Sequence, residues 1–239
     1  MIISRRKKRS EREEDLSGRL VTILDPEGPA AEAYRTLRTN LLYALVDDPL
    51  KVVTFTSPGP GEGKSTTCAN LGVVLAQANK NTLILDCDFR RPVMHRFFGL
   101  RNVWGVVDVL VGKRSLPDTM QEVLVGLNVL TCGPIPPNPA ELLSSQRFAE
   151  FVARVRAEFD YVLIDAPPVG LVSDPVVIST QGDGVMLVLD AHSTGKGALR
   201  KSLHSLEAVG ANIIGTVMNN VRGGKGGYYR YGYGGYTYK

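Results

Sequence analysis

Residues 51–66 read KVVTFTSPGPGEGKST. The first half is a short run of β-branched and aromatic residues closed by Ser57-Pro58, the composition of a strand buried on both faces. In the second half, Gly59, Gly61 and Gly63 let successive backbone N–H groups turn toward one point, and Lys64, Ser65 and Thr66 then open a helix. A glycine loop between a strand and a helix beginning Gly-Lys-Ser is built to hold phosphate. Backbone amides and the helix N-terminus, with Glu62 inside the turn, face the anion; Lys64 reaches the β- and γ-phosphates and Ser65 ligates Mg²⁺. The full pattern has a glycine five residues before Gly63, where this chain has Pro58.

The same alternation continues outward. Apolar runs predict strands over 81–88 (NTLILDCD), 128–133 (NVLTCG), 160–168 (DYVLIDAPP), 183–190 (DGVMLVLD) and 212–220 (NIIGTVMNN). Helical spacing marks the segments between them. One helix follows the glycine loop over 63–79. A second covers 138–159, with Asn138 as N-cap, Pro139 at the first helical position and Glu141 completing a capping box. A third covers 194–210 and closes at Gly210. Earlier, Leu37, Leu41 and Leu45 recur at helical spacing within 29–48. Buried strands separated by helices predict an α/β fold: a mostly parallel sheet with helices on both faces, like a P-loop NTPase. In such sheets the ligand lies beyond the carboxyl ends of the strands.

The residues at those ends are acidic. Asp86 and Asp88 close the strand after the P-loop helix, and Asp165 closes the run YVLI. With Ser65, these three carboxylates supply enough oxygen donors for one hydrated Mg²⁺. Asn219 ends the last strand and is a candidate contact for a nucleotide base or an ordinary strand cap. Arg90 and Arg91 are placed to meet phosphate or to shape a loop. His95, His192 and His204 form no triad visible in the sequence, and Trp104 reads as core or an interface anchor.

At 239 residues, 44% hydrophobic and 22% charged, the chain has the composition of one soluble globular domain. Cys68, Cys87 and Cys132 show no metal or disulfide spacing, and no apolar run reaches the ~18 residues of a membrane span. A cytoplasmic location is the expectation. The net charge of +4 is concentrated at the ends. RRKKR at 5–9 opens a basic arm, expected to be mobile over 1–28, which an anionic membrane surface would attract. Nucleic acid is not expected as a partner, because no aromatic and basic face accompanies the run. The domain itself is expected over 29–221. Residues 222–239 form a Gly-rich tail carrying Tyr228, Tyr229, Tyr231, Tyr233, Tyr236 and Tyr238. Such a tail has no apolar face to bury and is expected to be flexible.

Several motifs together resemble the bacterial tyrosine kinases. DCDFRRP at 86–92 is similar to the second-aspartate (Walker A′) motif of that family, SPGPGEGKSTT to its P-loop and LIDAPP at 163–168 to its Walker B strand. GPIPPNPAELL and the tyrosine-rich tail fit as well, and EAYRTLRTN at 32–40 resembles its oligomerisation element, with Glu32, Arg35 and Arg38 at intervals of three. The resemblance runs from about residue 20 to the end. It implies ATP and Mg²⁺ as cofactors, with Lys64, Asp86, Asp88 and Asp165 as the catalytic group. It further implies self-association through 29–48, phosphorylation of the tail tyrosines in trans, and a role in capsule or exopolysaccharide production. The implied partners are a membrane-anchored activator at the inner face of the membrane and a cognate tyrosine phosphatase. The alternatives are a partitioning-type ATPase and an ATP-binding scaffold. Related partitioning ATPases carry a signature lysine where this chain has Gly59.

Overall fold

The aliphatic runs do form strands, and their order in space brings the acidic strand ends together. The computed structural model describes residues 15–43 and 50–221. Seven strands form one sheet: β1 (Val52–Thr56), β2 (Thr82–Asp86), β3 (Gln121–Leu124), β4 (Leu127–Leu130), β5 (Tyr161–Asp165), β6 (Gly184–Asp190) and β7 (Ile213–Asn219). Their order is β3-β4-β2-β5-β1-β6-β7. All neighbours are parallel except β3 and β4. The P-loop leaves β1, so it sits between the ends of β5 and β6.

The helices are α1 (Val21–Leu24), α2 (Pro29–Tyr43), α3 (Lys64–Gln77), α4 (Met94–Phe97), α5 (Val106–Leu110), α6 (Leu116–Thr119), α7 (Pro139–Leu143), α8 (Gln146–Glu158), α9 (Asp174–Ser179) and α10 (Lys196–Glu207). They cover both faces, and the period-two geometry of the strands divides the core accordingly. In β5, Leu163 joins one cluster with Val53, Phe55 and Leu71, while Val162 and Ile164 join the other with Leu83, Leu85 and Phe148. Every residue of β1, β2, β5 and β6 is buried.

One edge strand was not read in the sequence, and two expectations are corrected. The edge of the sheet is antiparallel: β3 pairs back on β4 through a turn in which Gly126 takes φ 79°. Its sequence, QEVL, is half-buried and lacks the long apolar run that marks a central strand. The helix predicted over 138–159 is two helices. Asn138 makes no cap bond and holds Glu141 Oε2 at 3.0 Å instead, and α8 restarts at Ser145, whose hydroxyl accepts from Phe148 N. The arm expected over 1–28 does not extend that far. Residues 17–19 form a 3₁₀ turn, α1 follows, and Leu16 and Leu20 are buried in the core around α3.

Leu163 is fully buried in the central strand, with α3 packed over it. Leu163→Ala should cost about 2–5 kcal/mol, read as a fall in the urea midpoint with little change in slope.

Candidate active site

The P-loop takes its shape from two left-handed glycines. Gly61 has φ 78° and Gly63 φ 91°. A side chain at Gly63 would be strained and would also strike Asn219, whose Nδ2 lies 2.2 Å from where a Cβ would stand. That Asn219 amide donates to the Glu62 carbonyl at 3.0 Å and to Thr67 Oγ1 at 3.2 Å. The end of β7 thus fastens the loop from one side. From the other, the Pro58 carbonyl lies against Gly170, where a Cβ would stand only 2.1 Å away. Thr56 Oγ1 stitches β1 to the loop after β5, donating to Pro167 O at 2.7 Å and accepting from Val169 N at 3.1 Å.

Lys64 opens α3 and points back between two loops. Its Nζ lies 2.9 Å from Asp88 Oδ2 and 3.1 Å from Asp165 Oδ1, and it donates to Ser65 Oγ at 3.1 Å. The Ser65 hydroxyl donates to the other oxygen of Asp165 at 2.6 Å. Burial works against the ammonium charge, but Asp165 and Asp88 outweigh it and hold Lys64 above its ordinary range. Burial likewise pushes the Asp165 carboxyl up, and Lys64 opposes that rise. Asp88 Oδ1 accepts from Arg91 N at 3.0 Å, which shapes the turn after β2.

Asp86 differs from Asp88 although only Cys87 separates them. It is fully buried, level with Asp165 on the adjacent strand. Its Oδ2 accepts from Val93 N at 3.0 Å and Met94 N at 2.9 Å, at the start of α4, and its Oδ1 has no hydrogen-bond partner. Burial first, then the charge of Asp165, raises its pKa to about 8. Asp88 lines the cleft of about 240 Å³ at the P-loop, together with Gly61, Lys64, Ser65, Thr66 and Arg91. Among the described residues no cluster of three or more acidic, histidine or cysteine side chains stands ready as a metal cage. Of the four expected donors, Ser65 and Asp165 are bonded to each other, Asp88 meets Asp165 across Lys64, and Asp86 lies level with Asp165 on the next strand. The bonded pair Ser65 and Asp165 suits Mg²⁺, which is usually held by one or two protein oxygens, water and substrate phosphates.

Glu62 departs from its expected place. Its side chain turns out of the cleft and is buried, with Oε1 accepting from Thr194 Oγ1 at 2.7 Å and Oε2 unpaired. Thr194 in turn accepts from Asp190 N, and Asp190 gathers the amides of His192 and Ser193 and the side chain of Asn220. Those bonds, led by the one from Asn220, hold the Asp190 carboxyl well below its usual range. This network on the β6 side was not read in the sequence, although Asp190 ends its strand as Asp86 and Asp165 do. Also missed is Asp174, fully buried at the start of α9, which takes Arg90 in a two-pronged bond of 2.8 and 3.0 Å. That pair ties the loop after β2 to the loop after β5 and gives Arg90 a structural partner. Trp104 is 42% exposed under the Arg114 guanidinium, 4.4 Å from its ring centre, so it is not core.

Glu32 and Arg35 pair within α2 at 2.9 Å, and Arg38 donates to the Val74 carbonyl of α3 at 3.1 Å. The six tail tyrosines and the basic run at 5–9 lie outside the described residues.

A family model described as the CobQ/CobB/MinD/ParA nucleotide binding domain matches residues 53–228. The tyrosine-protein kinase YwqD of Bacillus subtilis is 40% identical over 213 residues, covering 89% of this chain and 90% of that protein. The chain belongs to the bacterial tyrosine kinases. The kinase domain of the Escherichia coli tyrosine kinase ETK superposes with a TM-score of 0.83 at 31% identity, covering 95% of this kinase and 89% of that chain. The tyrosine-protein kinase wzc of Salmonella typhimurium is 33% identical over 221 residues, which cover 92% of this kinase and 31% of that protein. The P-loop, the Walker A′ acids and the Walker B acid of the kinase therefore belong to a nucleotide-binding domain.

Two predictions follow from this geometry. From the ordinary carboxyl value of 3.8 up to about 8, native Asp86 keeps a proton that the unfolded chain has released. Its contribution thus favours the native state at low pH and fades as pH rises through 8. In metal-free buffer, the thermal midpoint of the wild type relative to Asp86→Asn should fall as pH goes from about 5 to about 8. Gly170→Ala should push Pro58 and weaken nucleotide binding on the order of tenfold, measured by calorimetry, with the fold retained.

Proposed function

We propose that this kinase transfers the γ-phosphoryl group of Mg·ATP to tyrosines of its own C-terminal cluster, Tyr228 to Tyr238, on a neighbouring subunit. The observation that carries this reading is the seam between β7 and the P-loop. Asn219 touches the Glu62 carbonyl, and the described chain ends two residues later at Val221. In the sequence, the tyrosine-bearing segment follows the strand that clamps the P-loop.

In this reading the glycine loop and Lys64 hold the polyphosphate, and Ser65 and Asp165 would hold magnesium, which when bound neutralises charge on the β- and γ-phosphates. Binding draws Lys64 off its two carboxylates and onto phosphate oxygens. Asp88, which lines the cleft where Asp86 does not, orients the acceptor phenol and takes its proton as the phenolic oxygen bonds to the γ-phosphorus and the β–γ bridging bond breaks. A phenol with a pKa of about 10 needs that help at neutral pH. Asp86 supports the site from beneath by fixing the start of α4. Asn219 serves as the clamp of the P-loop in preference to a base contact.

Glu32, Arg35 and Arg38 on α2 are the proposed contact between subunits, Glu32 and Arg35 by exchanging their internal pair for a neighbour's. No helix of the described residues is long and apolar enough to cross a membrane. Recruitment to the inner face of the cell membrane would come from a membrane-anchored activator, aided by the basic arm at 5–9. A cognate tyrosine phosphatase would reset the tail. The output is control of capsule or exopolysaccharide production.

Lys64→Met should abolish tyrosine phosphorylation during incubation with Mg·ATP. It also strands Asp88 and Asp165 without their cation, so its stability should drop by about 3–5 kcal/mol. The comparison is therefore made well below its thermal midpoint. Removing residues 227–239 should end autophosphorylation yet leave Mg·ATP affinity unchanged. The truncated protein should still phosphorylate a full-length Lys64→Met partner. Full phosphorylation by Lys64→Met, or loss of nucleotide binding on truncation, would overturn the reading.

A further inference from the structure

The docked segment before α2 has no role in the chemistry described so far, yet it is fastened with care. Asn70 lies on α3, six residues beyond Lys64, and is fully buried. Its Oδ1 accepts from Thr22 N at 3.1 Å and Thr22 Oγ1 at 2.9 Å, and its Nδ2 donates to Arg19 O and Thr66 O, both at 2.9 Å. A side-chain amide has two donors and an oxygen that accepts two bonds, so its capacity is fully used. Leu16 and Leu20 are buried on either side, and Leu16 N donates to the Arg96 carbonyl of α4 at 3.2 Å. The backbone of residue 19 is thus held between two buried apolar anchors of its own segment and by Asn70, which is mounted on the helix that carries Lys64.

That placement puts Arg19 on the wall of the phosphate cleft, alongside Gly61, Lys64, Ser65, Thr66 and Arg91. The charges there leave room for it. Lys64 faces both Asp88 and Asp165, so its single positive charge is already outnumbered within the site. A bound triphosphate would bring several more negative charges than a divalent cation neutralises. Arg19 and Arg91 are the other basic side chains lining the cleft among the described residues. A guanidinium is always charged and matches phosphate oxygens in two-pronged geometry.

We propose that Arg19 is a phosphate-binding residue of the kinase cleft, contacting the polyphosphate of a bound nucleoside triphosphate, and that Asn70 is the positioning residue that holds it there. The proposal rests on the nucleotide-binding reading of the P-loop and extends the site to a segment outside the P-loop and the Walker motifs.

The test uses the full chain as Arg19→Ala, Arg19→Lys and, as a control for lost charge on a distant face, Arg154→Ala, which removes a surface partner of Glu158 on α8. Arg19→Ala keeps the carbonyl that Asn70 holds, so its thermal midpoint should match the wild type. Calorimetry with Mg·ATP, ADP and AMP is the readout. Arg19→Ala should weaken Mg·ATP binding about tenfold, ADP less and AMP least, with Arg19→Lys between and Arg154→Ala unchanged. Equal weakening for all three nucleotides would show a packing wall, and no weakening would show a bystander; either overturns the proposal. If the wild type binds Mg·ATP but forms no phosphotyrosine, the kinase reading fails while the nucleotide series still decides the role of Arg19.

Discussion

One buried cation organises the active end of this molecule. Lys64 Nζ sits between Asp88 and Asp165, and each of the three side chains belongs to a different segment: the P-loop helix, the turn after β2 and the end of β5. An ammonium removed from water needs opposite charge and hydrogen bonds, and here it has both. Separating any one of the three segments would leave a charge stranded in the interior. The spacing of the loops around the cleft is therefore fixed by electrostatics as much as by packing. In the proposed reaction this is the cation that a nucleotide's phosphate oxygens would claim from its carboxylate partners.

Around that centre the P-loop is clamped from both flanks by groups that never enter the cleft. Asn219 grips the Glu62 carbonyl from β7, and Glu62 itself is locked through Thr194 to the loop after β6. On the other flank Pro58 rests on Gly170, and Arg90 bonds to buried Asp174. These contacts make the loop a rigid receptor, which suits a catalyst that works mainly by positioning and charge. They also explain why carboxylates with similar sequence settings differ. Asp88 reaches the cleft, whereas Asp86 is turned beneath it to hold two amides of α4.

The family assignment and the geometry reinforce each other. A shared nucleotide-binding domain accounts for the sheet, the loop and the acids. Identity of 40% with YwqD across nine tenths of both chains narrows this domain to the tyrosine kinases. Within this chain, β7 meets the P-loop through Asn219, and the tyrosines at 228–238 follow that strand in the sequence.

The sequence by itself determined the parallel α/β sheet, the phosphate loop and the three acids at the strand ends. Each is a local pattern with a local cause: continuous aliphatic runs bury on two faces, glycines free the loop, and Gly-Lys-Ser starts a helix. Even the edge strand β3 and the restart of α8 at Ser145 lay beyond that reach, since QEVL carries a weak pattern and Ser144-Ser145 continues an otherwise helical period. Only the tertiary structure decided which acid faces Lys64, that Glu62 turns away, and that residues 15–22 are docked and not part of the arm. Those outcomes depend on partners far along the chain: Asp165 for Lys64, Thr194 for Glu62, Asn70 for Arg19 and Thr22. A buried polar group is placed by whatever can satisfy it, and strand order, which no local pattern encodes, sets what lies within reach.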